Sequence, residues 1–177
     1  FRRLGLAALG VGAVQVNSVL DMIFARSADL EAPAYLTYAI RLYQAPLALF
    51  GIALSQAMLP PLSRAEQSGD QKGFFKLLHY SLAQTLGMMI PCTFILWLVG
   101  LEGVNLLFGR GAFDPIAVKE TGWCLWAYAL GLVPSTWVTV LASAHYAKKN
   151  MIYPSLISLL SVALNIVLNA IFVFVFH

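Results

Sequence analysis

The chain has 177 residues, of which 60% are hydrophobic and 11% are charged, and its net charge is +3. Soluble domains carry about 25% charged residues, so this composition excludes a soluble globular domain. We predict an all-α polytopic membrane protein, because lipid-embedded backbone groups must be paired within helices or closed barrels and the alternating polarity of a barrel strand is absent. The basic residues form no patch that would bind nucleic acid, and we expect no nucleic-acid partner.

Five apolar stretches are long enough to be transmembrane helices, since a span needs roughly 20 mostly apolar residues. In chain order they are residues 4–25, 34–59, 75–99, 121–144 and 152–176. We treat residues 1–177 as one set of five transmembrane helices. Pro46, Pro91 and Pro134 each interrupt a span and permit a kink. Because the chain begins at Phe1 and the fifth span runs to its end, we expect part of a larger transporter; a genuine five-span protein is the alternative.

The distribution of lysine and arginine predicts the orientation of these helices. Seven of the 11 basic residues fall before the first span, in the second connection up to the start of the third span, and between the fourth and fifth spans: Arg2, Arg3, Arg64, Lys72, Lys76, Lys148 and Lys149. The connections on the opposite side hold only Arg26, Arg110 and Lys119. The positive-inside rule therefore places the first group in the cytoplasm.

The second span contains a single ionised side chain, Arg41. A cation near the middle of a span costs about 2.5–3.5 kcal/mol on insertion scales, so it normally faces protein or a water-filled path. At about 100° per residue, Thr37, Gln44 and Ser55 project within roughly 60° of Arg41 and form one polar stripe with it. The stripe predicts a polar helix face at which Arg41 meets an anionic partner. An arginine paired with an acid purely for helix packing is the alternative.

Spans one and five carry a second group of polar residues. Asp21 and Asn169 each lie about 17 residues after the start of their helices, which run in the same direction, so we expect them at similar depth. Asn165 lies on the same helix face as Asn169. A carboxylate and two carboxamides offer oxygen ligands to a small hard cation such as Na⁺. Hydrogen bonding between helices is the alternative interpretation.

No motif in the sequence indicates an enzyme. A glycine-rich phosphate loop, a nucleophile elbow and a zinc-protease motif are all absent from it. The three histidines have no metal-ligand spacing, and the two cysteines fall within spans, where free buried thiols are the ordinary interpretation. We therefore predict no catalytic residues, no cofactor, and no metal other than the candidate Na⁺.

Four stretches of the sequence are similar to one known family. The run YAIRLYQAPLALFGIALSQAMLPPLSR resembles the Tyr-Ala-x-Arg-Leu…Leu-Pro-x-Leu-Ser signature of the MurJ/MviN family of lipid II flippases. LFGRGAFD resembles that family's external segment, HYAKKNMIYP resembles the entry into its eleventh helix, and LNIVLN resembles the asparagine-rich segment that follows. These stretches are collinear and cover essentially the whole chain. The resemblance implies helices seven to eleven of a fourteen-helix transporter of the MOP exporter superfamily.

The resemblance also implies a function that needs no covalent chemistry. The full protein would flip lipid II, a peptidoglycan precursor linked to undecaprenyl diphosphate, from the cytoplasmic to the periplasmic leaflet of the bacterial inner membrane by alternating access. This activity serves cell-wall biogenesis and cell shape. A central cationic cavity would bind the diphosphate through Arg41, with Thr37, Gln44 and Ser55 of its stripe as further substrate-binding residues, and through residues on the remaining helices of the transporter. Lipid II, membrane lipids and those helices are the expected partners. A related MOP exporter of another polyprenyl-linked sugar or of drugs is the alternative.

The sequence departs from the family pattern at two positions. The resemblance implies sodium coupling in some members, through an aspartate on helix seven and an Asn-x-x-x-Asp pair on helix eleven. Asp21 and Asn165 match this pattern, whereas Asn169 replaces the second carboxylate with an amide. Ile40 stands where several members carry an acidic residue beside the arginine. We therefore expect weaker cation binding, and an Arg41 that depends more on Asp21 or on substrate phosphate.

Overall fold

A computed structural model of the chain describes residues 2–110 and 113–175. Phe176, the last residue of the predicted fifth span, lies outside these ranges. The described part consists of helices and short connections without a strand, which confirms the all-α class. The helices are α1 (Arg2–Ala28), α2 (Ala32–Pro46), a π-helical segment (Leu47–Ile52), α3 (Ala53–Gln67), α4 (Gln71–Phe108), α5 (Pro115–Leu130), α6 (Leu132–Ala147) and α7 (Ile152–Val175).

Several of these helices have the length and apolarity of membrane spans. In the described part of the chain, three helical stretches are long and apolar enough to cross a membrane: Ala32–Gln67, Gln71–Phe108 and Ile152–Ile171. Helices α5 and α6 meet at a bend of 45° and make a fourth span if the pair is one broken helix. The first predicted span falls within α1. The polytopic membrane fold is thus confirmed, while the number of five spans stays a prediction.

The second span is not one regular α-helix. Pro46 ends α2, and the backbone then widens into the π-helical segment before α-helical geometry resumes at Ala53. Proline has no N–H group, so the Leu42 carbonyl loses its usual donor and the hydrogen-bond ladder is interrupted. A π-helix pairs residues five apart instead of four, so it places more residues in each turn. Side chains beyond the segment are therefore rotated from the positions that a continuous α-helix predicts.

The described residues form two compact units, which we treat separately. The first comprises Phe1–Ala34 and Lys149–His177, and in its described part α1 packs along α7. The second comprises Tyr35–Lys148 and contains α3 to α6, the π-helical segment and most of α2. Each candidate site that the sequence predicts falls within one unit.

Two apolar clusters hold the second unit together. In the first, Ala39 of α2 packs against Val104 of α4 and Leu125 of α5, and all three are fully buried. In the second, Leu62 of α3 packs against Phe74 of α4 and the end of α6. These contacts fix the face of α2 that contains Ala39 against α4 and α5. The opposite face of α2 is left outside the apolar core.

Helix α6 approaches α3 and the π-helical segment closely through small and hydroxyl-bearing residues. Ser55 and Ser143 share a hydrogen bond of 2.7 Å, and the Ser55 hydroxyl also donates to the Thr139 carbonyl at 3.2 Å. A Cβ atom added at buried Gly51 would lie 3.0 Å from Oγ1 of Thr136. Hydroxyl bonds and glycine contacts of this kind are how membrane helices pack closely without a hydrophobic driving force.

Helix α4 is the longest element, and its end positions the aromatic residues near the candidate site. Its 38 residues span roughly 57 Å, well beyond the ~30 Å hydrocarbon core of a bilayer. It ends at Phe108, and α5 begins at Pro115, where the Asp114 side chain accepts a hydrogen bond of 2.8 Å from the Ala117 N–H. This cap fixes the start of α5 directly after Phe113.

Candidate substrate and cation sites

Arg41 lies on α2, five residues before Pro46, on the face turned away from the apolar core. Its side chain is exposed, whereas Tyr35 and Ala39 of the same helix are buried. The guanidinium carbon lies 5.6 Å from the centroid of the Tyr38 ring, one turn earlier. The structure therefore presents the Arg41 charge at the surface of the second unit, in contact with an aromatic ring.

No acidic side chain neutralises Arg41 within the described part of residues 35–148. The carboxylate of Glu66 lies instead 3.9 Å from the ammonium group of Lys148. Arg41 makes neither a salt bridge nor a hydrogen bond with the residues described in this unit. A guanidinium carries five N–H donors in a planar fork, and these are available here to an anion from outside the unit. The alternative of an arginine paired for helix packing thus has no support from this unit.

The predicted polar stripe extends along α2 but not into α3. Thr37 and Gln44 lie one turn to either side of Arg41, with Thr37 half-buried and Gln44 exposed. Ser55 is only 6% exposed, and its hydroxyl is engaged by α6. Ser55 therefore packs against α6, whereas Arg41 is exposed, and the π-helical segment between them shifts the helical phase from that counted at 100° per residue. The role of Ser55, Thr37 and Gln44 in substrate binding stays a prediction.

The Tyr38 ring is part of an aromatic cluster that the sequence reasoning did not assemble. Its centroid lies 4.7 Å from that of Phe108 and 5.1 Å from that of Phe113, the latter in an edge-to-face arrangement. The signal that could have found this cluster is the LFGRGAFD segment, whose two phenylalanines are five residues apart across the end of α4.

The first unit brings the candidate cation residues together. The side-chain amide of Asn169 donates hydrogen bonds to the Asp21 carboxylate at 2.8 Å and to the side-chain amide oxygen Oδ1 of Asn165 at 2.7 Å. The Asn17 amide donates to the other oxygen of Asp21 at 3.2 Å. The expectation that Asp21 and Asn169 lie at the same depth agrees with these contacts. Their role as a cation site stays a prediction, as does that of Asn165.

One atom of this cluster has no partner among the described residues. The carbonyl oxygen of the Asn17 side chain is buried and accepts no hydrogen bond there. Together with the oxygens of Asp21 and Asn165, it makes a set of carboxylate and carboxamide oxygens with one negative charge. The described residues contain no group of three or more His, Cys, Asp and Glu side chains that could hold a metal ion. Oxygen atoms of this kind are the ligands that hard cations take in proteins.

Comparison of the sequence with known proteins identifies one matching family. The family model described as lipid II flippase MurJ matches residues 1–177. A "probable lipid II flippase MurJ" of Chlamydia muridarum is 34% identical over 173 residues, which cover 98% of this chain and 32% of the relative. The protein of the same description from Vibrio cholerae is 32% identical over 94% of this chain and 32% of its own length. That of Thermotoga maritima is 33% identical over 89% of this chain and 32% of its own length.

The chain thus spans about a third of the length of the curated relatives it matches. No solved structure matches the chain.

Proposed function

The chain belongs to the MurJ family of lipid II flippases, and on that premise we propose that the full protein moves lipid II from the cytoplasmic to the periplasmic leaflet of the bacterial inner membrane. The protein is then a transporter and not an enzyme, because translocation forms and breaks no covalent bond. The activity belongs to the whole protein, of which this chain corresponds to about a third of the length of its relatives. Within this chain, Arg41 binds the diphosphate of the lipid.

The observation that carries this proposal is the exposed, unneutralised charge of Arg41 on an apolar helix. A lone cation in a span is costly, and no carboxylate in the described part of residues 35–148 offsets that cost. A diphosphate supplies concentrated negative charge and several acceptor oxygens. The guanidinium fork matches that geometry with two parallel hydrogen bonds, which are stronger and more directional than those of an ammonium group.

The neighbours of Arg41 suit the same substrate. Gln44 is exposed one turn further along α2, and its amide can donate to the polar part of the lipid. Thr37 lies one turn earlier on the same face. Arg41 acts as one member of a cationic cavity completed by the remaining helices. Alternating access then passes the headgroup through this cavity while the polyprenyl chain stays in the bilayer.

Complementation of a flippase-depleted bacterium tests this function. The full-length gene is expected to restore growth and cell shape, whereas the same gene with Arg41→Ala is not, at equal protein levels in the membrane. Rescue by Arg41→Ala would remove Arg41 from the substrate site. If the wild-type gene itself fails, the protein is a related MOP exporter of another polyprenyl-linked sugar or of drugs.

We further propose that the Asp21 cluster is a weak Na⁺ site. The oxygens of Asp21, Asn165 and Asn17 would hold the ion, and the buried Asn17 oxygen without a partner among the described residues supports this fit. A bound Na⁺ would supply positive charge that offsets the Asp21 carboxylate. The Asn169 amide already donates to that carboxylate, so it competes with a cation for the same oxygen. The second carboxylate of the family pattern is missing here, which makes the site weak.

Replacing Asn169 with aspartate is expected to strengthen the Na⁺ dependence. The variant has two carboxylates in one cluster, which repel each other unless a cation lies between them. Na⁺ at about ten times its Kd stabilises the folded state by roughly 1.4 kcal/mol. We expect the unfolding midpoint of the full-length Asn169→Asp protein to rise more than that of the wild type when Na⁺ replaces K⁺ at constant ionic strength.

The matched control is the double variant Asp21→Asn, Asn169→Asp, which restores a single carboxylate to the cluster. Its Na⁺ dependence is expected to return to that of the wild type. Equal Na⁺ dependence of wild type and Asn169→Asp would show that the cluster is only a set of hydrogen bonds between α1 and α7.

A further inference from the structure

The ring of Tyr38 contacts Arg41 on one side and two phenylalanines on the other. It lies one helical turn before Arg41, where side chains three residues apart are neighbours. The guanidinium carbon is 5.6 Å from the ring centroid, within the range of a cation–π interaction. Arg41 has no hydrogen bond or salt bridge with the described residues of its unit, so the Tyr38 ring is the contact of its guanidinium in that unit.

An exposed arginine needs such a contact if its charge is to have a defined position. The side chain has about 2 kcal/mol of rotamer entropy, and without a partner it samples many positions. The negative face of an aromatic ring attracts the guanidinium without blocking the N–H donors, which lie in the plane of the guanidinium. A carboxylate would also fix the side chain, but it would neutralise the charge that a diphosphate needs. A tyrosine ring fixes the position and keeps the charge.

The Tyr38 ring is held by one residue at the end of α4 and one residue after it. Phe108 is the last residue of α4, and Phe113 directly precedes the residue that caps α5. Their ring centroids lie 4.7 and 5.1 Å from that of Tyr38, and 6.5 Å from each other. Both phenylalanines also pack on the apolar cluster around Ala39. The position of the Tyr38 ring therefore depends on the connection between α4 and α5.

From this geometry we infer that Tyr38 is a positioning residue for Arg41, and that Phe108 and Phe113 act through Tyr38 to orient the guanidinium toward the diphosphate. The inference rests on the proposed function, because the bound diphosphate is what the orientation serves. It assigns the α4–α5 connection a role in substrate binding although that connection does not contain Arg41. A purely packing role for the three rings predicts no link to the charge at position 41.

A double-mutant cycle on the full-length protein in nanodiscs separates these two roles, with undecaprenyl diphosphate as the probe. Tyr38→Leu is expected to weaken its binding about two- to five-fold, which is the size of an exposed cation–π interaction. Tyr38→Phe keeps the ring and should bind as the wild type does. In an Arg41→Gln background, where the polyprenyl chain still contributes binding, Tyr38→Leu should cause no further loss.

Phe113→Leu is a second test variant, because the Phe113 ring contacts Tyr38 while Phe113 is remote from Arg41 in sequence. It should lower affinity only while Arg41 is present, and it serves in place of Tyr38→Leu if that protein does not fold. Tyr80→Leu, at an exposed tyrosine of α4 outside this cluster, is the matched control and should leave binding unchanged.

The outcomes distinguish the inference from the function on which it rests. Equal losses from Tyr38→Leu with and without Arg41, or no loss in either background, would overturn the positioning role. If Arg41→Gln alone leaves affinity unchanged, the proposed role of Arg41 fails first. If Arg41→Gln weakens binding and neither Tyr38→Leu nor Phe113→Leu does, only the positioning role is wrong.

Discussion

Replacement of Arg41 by alanine is expected to slow lipid II translocation roughly 10- to 100-fold in proteoliposomes that contain the full-length protein. A hydrogen bond to a charged group contributes about 1.5–3 kcal/mol, and each 1.4 kcal/mol corresponds to a factor of ten. The effect is expected on substrate handling and not on stability, because Arg41 is exposed and outside the apolar core of its unit. The unfolding midpoint of the variant should therefore match that of the wild type.

Two further arginine variants sharpen this result. Arg41→Lys keeps the charge but loses the planar fork, so we expect an intermediate rate. Arg64→Ala removes another exposed arginine, near the end of α3 in the predicted cytoplasmic connection, and should leave the rate close to that of the wild type. If Arg41→Ala and Arg64→Ala have the same rate, Arg41 is an ordinary surface charge.

Replacement of Gly51 by valine is expected to lower the free energy of unfolding by about 1–3 kcal/mol, the usual cost of overpacking. An added Cβ would lie 3.0 Å from Oγ1 and 3.1 Å from Cγ2 of Thr136, and 3.2 Å from Leu47. Thr136 is fully buried, and its hydroxyl donates to the Leu132 carbonyl at 2.8 Å, so it cannot easily move aside. The π-helical segment would be pushed away from α6.

Thermal unfolding of the full-length protein in detergent measures this cost, and Gly87 provides the control. Apart from its chain neighbours and the backbone of its own helix, no atom of the described residues lies within 4 Å of a Cβ added at Gly87, in the middle of α4. Gly87→Val is therefore expected to unfold near the wild-type midpoint, several degrees above Gly51→Val. Similar midpoints for the two variants would mean that α6 does not pack closely on the π-helical segment.

Helices without an interruption were predictable from the sequence in both position and phase. Asp21 and Asn169 lie within regular α-helical stretches of α1 and α7, so 100° per residue describes their faces correctly, and their side chains meet at 2.8 Å. The all-α membrane fold was predictable from the apolar composition alone. In lipid the backbone has few ways to pair its polar groups, so composition largely decides the class of fold.

The second span shows where this reasoning fails. Pro46 is visible in the sequence and predicts a kink, but a kink alone does not predict how many residues the widened turns contain. The six residues of the π-helical segment rotate Ser55 toward α6 and into a hydrogen bond with Ser143. Thr37, Arg41 and Gln44 all lie on α2, before this interruption. Helical phase counted at 100° per residue therefore does not carry over from α2 to α3.

The aromatic cluster of Tyr38, Phe108 and Phe113 could not be predicted from the sequence for a different reason. Phe108 and Phe113 are about 70 residues from Tyr38 along the chain, and their contact depends on how α2 packs against α4 and α5. That packing is set by buried apolar residues such as Ala39 and Val104, whose pairing no periodicity reveals. Contacts between helices, unlike faces of one helix, require the tertiary structure.

Protection of Arg41 from an arginine-selective reagent tests the central claim most directly. The full-length protein in nanodiscs is treated with phenylglyoxal with and without lipid II, and modification at each arginine is measured by mass spectrometry. We expect lipid II to protect Arg41 and to leave Arg64, which is also exposed, equally reactive in both samples. Equal modification of Arg41 with and without bound lipid II would contradict the claim that its guanidinium binds the diphosphate.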